Sequence, residues 1–159
     1  MDQESIKYQP KINLIEFLTD KDRILNKPCE KINEISEEID NFIEDMRATM
    51  HFHRGIAIAA PQVGKSLQII VINAVVFNTQ EDIIIINPEI EILSNEQITD
   101  MEYCLSFPTG KYKARYTEVQ IKCLDKKMQN MILYADTPIK ARILQHETDH
   151  LKGIILTDE

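Results

Sequence analysis

Two of the four histidines in this 159-residue chain, His146 and His150, bracket a glutamate in His146-Glu147-Thr148-Asp149-His150. A helix turns every 3.6 residues, so His146 and His150 share one face and can converge on one ion. Glu147, rotated by about 100°, can reach a water bound there. This is the HExxH pattern, a metal-binding arrangement, and the competing reading is a solvated amphipathic helix with two chance histidines. Half of all the histidines fall at this one spacing around a glutamate, which favours the metal. The motif by itself leaves the reaction open.

Two histidines do not complete a tetrahedral site, so a third ligand must come from elsewhere, and the three cysteines are the candidates. Cys29, in KPCE, and Cys123, which alternates with Ile121 on the inward side of an expected strand, read as apolar packing residues. Cys104, in MEYCLSFP, has Glu102, Ser106 and Pro108 around it, where a strand or loop edge can present a thiolate. An odd cysteine count at irregular spacing is a poor disulfide framework and suits a reducing compartment.

These residues need elements to position them. Apolar residues at Ile32, Ile35, Ile39, Phe42, Ile43, Met46 and Met50 form a helical stripe with acids in its early turns, predicting a long helix from about Ser36 to Phe52. LQIIVI at 67–72 and IIIIN at 83–87 read as buried strands. TEVQIKCL at 117–124 alternates and reads as half-exposed. The HExxH segment is signed at both ends, with Thr137 as cap, Pro138 in the first turn and Gly153 just past Leu151. Strands between an early and a late helix predict an α+β fold, antiparallel or mixed strands packed around a carboxy-terminal metal-binding helix, with a long amino-terminal helix. Neither repeat nor linker interrupts the chain, so one domain over residues 1–159 is expected.

Composition narrows the function class. Apolar residues are 43% and charged residues 28%, as in ordinary globular domains, and no apolar run approaches the roughly 20 residues that cross a bilayer. A net charge of −8 without a Lys/Arg cluster argues against direct nucleic-acid binding. The opening MDQESIKYQP lacks the pattern of a targeting sequence, so a cytoplasmic protein without a membrane partner is expected.

GIAIAAPQVG at 55–64, EYCLS at 102–106 and QHETDH at 145–150 occur in the order, and at about the spacing, of the three motifs of peptide deformylases. INPEI at 86–90 and HLKGIIL at the end extend the match, and the chain resembles that family over nearly its whole length from Lys27. The resemblance implies Cys104, His146 and His150 as ligands of one divalent ion, Fe2+ in the active form, with Zn2+, Ni2+ or Co2+ able to substitute. It implies Glu147 as general base, with the Gln62 amide and the Leu105 backbone N–H as donors to the developing oxyanion. The reaction implied is removal of the formyl group from the N-formylmethionine of a nascent polypeptide, releasing formate. Substrate would meet Gly55, Ile56, Ala57, Tyr103, Ile139 and Ile143, its backbone pairing beside Ile56 and Ala57 as an added strand. Without the resemblance, Gln62 is a polar loop residue, while Ile139 and Ile143 are core positions of an amphipathic helix. Arg115 matches a basic position usual in the family and is expected to tie down Asp149, beside His150; a solvated surface arginine is the alternative.

The chain departs from the family where glycine is usual at position 57 and, more variably, at 103. If position 57 needs the left-handed region, alanine costs on the order of 1–2 kcal/mol; if extended, its methyl mainly narrows the peptide groove. Tyr103 would pack on substrate or crowd the entrance. An active enzyme with altered peptide preference is expected, against a deformylase-like protein that binds metal or formyl-peptide with weak or no turnover. A zinc peptidase would explain neither GIAIAAPQVG nor the cysteine. Many bacterial members continue into a carboxy-terminal helix associated with ribosome docking, and nine residues follow His150 here. Ribosome contact is therefore left open, as is a bacterial, phage or organelle-derived origin.

Overall fold

The computed structural model of the chain describes residues 12–14 and 22–156. MDQESIKYQP, read above for targeting, lies outside them. Among the described residues no helix is long and apolar enough to cross a membrane.

Helix α1 (Glu37–Phe52) starts where the Ser36 hydroxyl accepts the Ile39 N–H at 3.2 Å, and Glu37, Glu38 and Asp40 occupy its first turn. Such a cap contributes typically about 1 kcal/mol, and the acids complement the helix dipole. Phe42, Ile43, Met46, Thr49 and Met50 form its buried stripe. Strands β1 (Ala57–Ala59), β2 (Ile69–Ile72) and β3 (Ile83–Ile92) follow, with the one-turn helix α2 (Ala74–Phe77) between β2 and β3. After β4 (Gln97–Glu102) and β5 (Lys111–Tyr116) come β6 (Val119–Leu124), β7 (Asn130–Ala135) and helix α3 (Pro138–Leu151). One sheet has the order β1-β2-β3-β6-β7 with antiparallel neighbours throughout, and β4 and β5 form a separate two-stranded sheet.

The continuous apolar runs have a direct cause. Alternate side chains of a strand point to opposite faces, and both faces of β2 are covered. Ile70 and Ile72 pack with Ile85, Ala141 and Leu144 on the α3 side, while Ile69 and Val71 pack with Met46, Met50, Ile84 and Ile86 on the α1 side. In β6, Val119, Ile121 and Cys123 join the α3 core, whereas Lys122 is exposed and Gln120 half-buried, as the alternation predicts. Strand β3 runs to Ile92, five residues beyond the expected end at 87. Its register shifts between Ile86 and Glu89, where Asn87 has φ 49° and clasps the backbone N–H and C=O of Ile32 through its side-chain amide.

Helix α3 begins as expected, with the Thr137 hydroxyl accepting the Lys140 N–H and Pro138 opening the first turn. It ends at Leu151, and just past its cap Lys152 comes Gly153, whose φ of 75° is left-handed; a Cβ there would meet the Asn26 and Lys27 backbone at 2.7 Å. Strands β4, β5 and β7 are absent from the sequence reading. The β4 and β5 segments are largely exposed and mix Lys, Asp and Gln among their apolar residues, so no apolar run marks them, whereas β7 carries the short apolar run MILYA at 131–135, half-buried and exposed in alternation up to the buried Ala135.

Candidate metal centre

Strand β4 stops at Glu102, and Cys104 sits two residues on, in a turn closed by the Phe107 N–H on the Cys104 carbonyl at 3.1 Å. Helix α3 carries His146 and His150 one turn apart on the face opposite that turn. Cys104 Sγ lies 3.3 Å from His150 Nε2, which lies 3.2 Å from His146 Nε2, and all three donor atoms fall within 4.8 Å of one another. A tetrahedral ion with metal–N of 2.0–2.1 Å and metal–S of 2.3 Å separates its ligand atoms by roughly 3.3–3.6 Å. The donor set and its spacing therefore fit one divalent ion.

The surroundings determine the state of His146. Its Nδ1 is 2.8 Å from Glu102 Oε1, and the carboxylate also accepts Arg115 Nη2 at 2.9 Å on Oε1 and Arg115 Nε at 2.7 Å on Oε2. Burial disfavours the charge on Glu102, but the hydrogen bonds from Arg115 and His146 outweigh it and hold the carboxyl well below its usual range. An ionised carboxylate only accepts, so His146 Nδ1 carries a proton and Nε2 is left to bind an ion. Arg115, buried, also donates to Asp149 Oδ2 at 2.6 Å. Arg115 and Asp149, paired in the sequence analysis, are thus brought together, with the guanidinium out of solvent.

Glu147 is buried; its Oε2 has no hydrogen-bond partner among the described residues, and neither has His150 Nδ1. Burial pushes the Glu147 carboxyl up to about 7. That value suits a group that accepts and returns a proton near neutral pH. Gln62 is almost fully buried in the 3₁₀ turn Ala60–Val63, and its orientation follows from its partners. Its carbonyl oxygen accepts the Ala59 N–H at 2.9 Å, which aims its NH2 at Ser106 Oγ, 3.2 Å away, and at Cys104 Sγ, 3.5 Å away.

A cavity of about 590 Å³ opens onto these groups. Cys104, Leu105, Gln62, His146 and Glu147 line it, while His150 and Asp149 do not. The six residues expected to meet substrate, Gly55, Ile56, Ala57, Tyr103, Ile139 and Ile143, all line it too. Strand β1 is an edge strand, hydrogen-bonded only to β2 within its sheet. The same three motifs that frame the cavity in space are those ordered along the chain, and the family model for polypeptide deformylases matches residues 14–159.

The chain belongs to the polypeptide deformylase family. Deformylases are metal-dependent hydrolases. The chain is 40% identical over 142 residues to the peptide deformylase of Brachyspira hyodysenteriae, covering 86% of this chain and 75% of that one. It is also 40% identical to peptide deformylase 1 of Clostridium perfringens over 139 residues, with 86% and 91% covered. A deformylase of Synechococcus elongatus, solved in complex with actinonin, superposes with a TM-score of 0.81 at 33% identity, covering 94% of this chain and 79% of that one.

At the positions where this deformylase departs from glycine, geometry decides between the alternatives. Ala57 lies within strand β1 and is not among the described residues with positive φ, so the left-handed penalty does not apply and its buried methyl borders the cavity. Tyr103 is 78% exposed at the cavity rim. Its ring is seated on Gly110, where a Cβ would approach Tyr103 Cε1 at 2.7 Å. Ile143 is buried, both core and cavity wall, while Ile139 is 71% exposed and no core residue. Two groups beside the site escaped the sequence reading as partners: Glu102, which orients His146, and Gln145, whose amide accepts the Tyr116 N–H at 3.0 Å and donates to the Tyr116 carbonyl at 2.8 Å. Their only local signal was membership of the motifs, since Glu102 opens EYCLS and Gln145 opens QHETDH.

Proposed function

We propose that the protein hydrolyses the formyl group from the N-formylmethionine of nascent polypeptides, releasing formate and a free amine. The observation that carries this reading is the convergence of Cys104 Sγ, His146 Nε2 and His150 Nε2 beside an unpartnered carboxylate oxygen of Glu147 and the oriented amide of Gln62. When bound by Cys104, His146 and His150, a divalent ion supplies Lewis acidity, making water more acidic and polarising the formyl oxygen. We take ferrous iron as the active ion, with zinc, nickel or cobalt as substitutes.

Glu147 accepts the proton of the attacking water and returns it to the departing amine, a role its raised pKa supports. The Gln62 amide and the Leu105 backbone N–H donate to the oxygen on which negative charge develops. Gly55, Ile56, Ala57, Ile139 and Ile143 surround the methionine end of the peptide, whose backbone extends the sheet at the free edge of β1 beside Ile56 and Ala57. Ala57 narrows that groove, and Tyr103 meets the residues that follow methionine, so the two set peptide preference. Arg115 holds Glu102, and through it His146, and ties down Asp149 beside His150 in the chain. We read residues 1–159 as a single domain acting in the cytoplasm.

Formate release from formyl-Met peptides, measured anaerobically on iron-loaded protein together with metal content, tests this. Glu147→Ala is expected to lower turnover on the order of 10²–10⁴-fold while keeping its metal. Iron-loaded wild type that binds formyl-Met peptide and releases no formate overturns the reading in favour of binding without turnover.

A further inference from the structure

The three candidate ligands come from two separate bodies. His146 and His150 ride on α3, whereas Cys104 sits in the loop that joins β4 to β5, a hairpin that shares no backbone ladder with the five-stranded sheet. The Sγ–Nε2 spacing is therefore set by how the hairpin is docked on the helix. On α3 the residues facing the hairpin are Arg142, Gln145, His146 and Asp149, at i, i+3, i+4 and i+7 of one helical face.

We propose that Arg142 is a positioning residue for the metal centre, a clasp whose guanidinium holds both strands of the hairpin and the carboxylate that orients His146. Its Nη2 donates to the Ile98 carbonyl of β4 at 2.6 Å, and its Nη1 donates to the Lys113 carbonyl of β5 at 2.8 Å and to Glu102 Oε2 at 2.7 Å. No other side chain among these contacts reaches both strands and Glu102 at once. The planar fork of arginine makes that reach feasible; the single ammonium of lysine supplies charge at one point only. Glu102 Oε2 takes Arg142 and Arg115 Nε, while its Oε1 faces His146 Nδ1. Loss of Arg142 would thus loosen Cys104, through the hairpin, and His146, through Glu102, in one step.

The inference rests on the three-ligand reading, and Co2+-loaded full-length protein separates the two. A thiolate-to-Co2+ charge-transfer band in wild type is the signature of Cys104 ligation; its absence sinks the three-ligand reading itself. With the band present, Arg142→Met keeps an unbranched apolar stem and removes every donor. It is expected to weaken or shift the band and to release Co2+ to a chelator at least about tenfold faster, the scale usual for lost outer hydrogen bonds around a metal ligand. Arg142→Lys is expected to fall between the two. A folded Arg142→Met with the wild-type band and release rate overturns the proposal. So does an Arg142→Lys protein with wild-type release, because charge alone would then suffice; this variant decides the matter if Arg142→Met does not fold. A residue that only stabilised the fold would lower the melting temperature of metal-free protein and leave band and release rate where they are.

Discussion

Asp82 and Glu102 are two buried carboxylates with nearly the same company and different consequences. Asp82, its side chain 3% exposed, accepts Arg47 Nε at 3.1 Å, faces His51 Nε2 at 2.7 Å and takes the Ala74 N–H at 2.9 Å. Glu102, 4% exposed, has Arg115, Arg142 and His146. Burial would raise both acids, and in both the hydrogen bonds outweigh it and hold the carboxyl below its ordinary value. The difference lies in which imidazole nitrogen the carboxylate takes. At Asp82 it is Nε2, the far tip of the ring, and the cluster ties the end of α1 to the start of α2. At Glu102 it is Nδ1, so the tip remains directed at Cys104 and His150. Among the described residues, three metal-ligating groups converge only on the Glu102 side. A histidine–carboxylate–arginine cluster is thus scaffold or site according to what the ring's other nitrogen meets.

The largest effect expected from breaking this contrast is at Glu102. Glu102→Gln removes the charge that fixes the His146 proton and leaves Arg115 and Arg142 against a neutral amide, so metal affinity should fall 10–100-fold by chelator competition. Asp82→Asn should leave that affinity within about twofold, since Asp82 contacts neither a candidate ligand nor a group that holds one. Equal losses in the two variants would erase the distinction. Asp82→Asn should instead lower the stability of metal-free protein by about 1–3 kcal/mol at pH 7, read from denaturant melts. The sign with pH follows from the lowered carboxyl. Its contribution is present above the unfolded value of about 4 and is lost as pH falls through the lower folded value, so the gap between wild type and variant should close below pH ~4. A gap independent of pH would assign the loss to packing rather than charge. The smallest effect is expected at His51, whose side chain is 19% exposed. His51→Gln leaves Asp82 its bonds from Arg47 and Ala74, so a loss of about 0.5–1 kcal/mol with unchanged formate release should follow, and a drop in turnover would place His51 in the site after all.

Both long helices could be read from the sequence because their signals are local. Ser36 and Thr137 cap through N–H groups three residues away, and the buried stripe of α1 repeats at helical spacing. Strands β2, β3 and β6 were legible because burial on one face or two writes itself as alternation or as an apolar run. Strands β4 and β5 were not, because the residues that hold their hairpin to α3 are distant in sequence: Arg142 meets Ile98 across 44 residues and Lys113 across 29. The outcome at position 57 likewise waited on the backbone, since alanine is costly in one conformation and harmless in the other.

What the sequence by itself determined is the set of chemical groups and their helical spacing: the paired histidines around Glu147, a cysteine in EYCLS and the family those motifs mark. The convergence of Cys104 with His146 and His150 was decided only in three dimensions, as were the proton on His146 Nδ1, the aim of the Gln62 amide and the burial that raises Glu147. The physical reason is range. Caps and helical faces depend on neighbours within a turn, whereas a ligand cluster, a carboxylate's environment and a buried orphan oxygen exist only once segments about 40 residues apart are packed together.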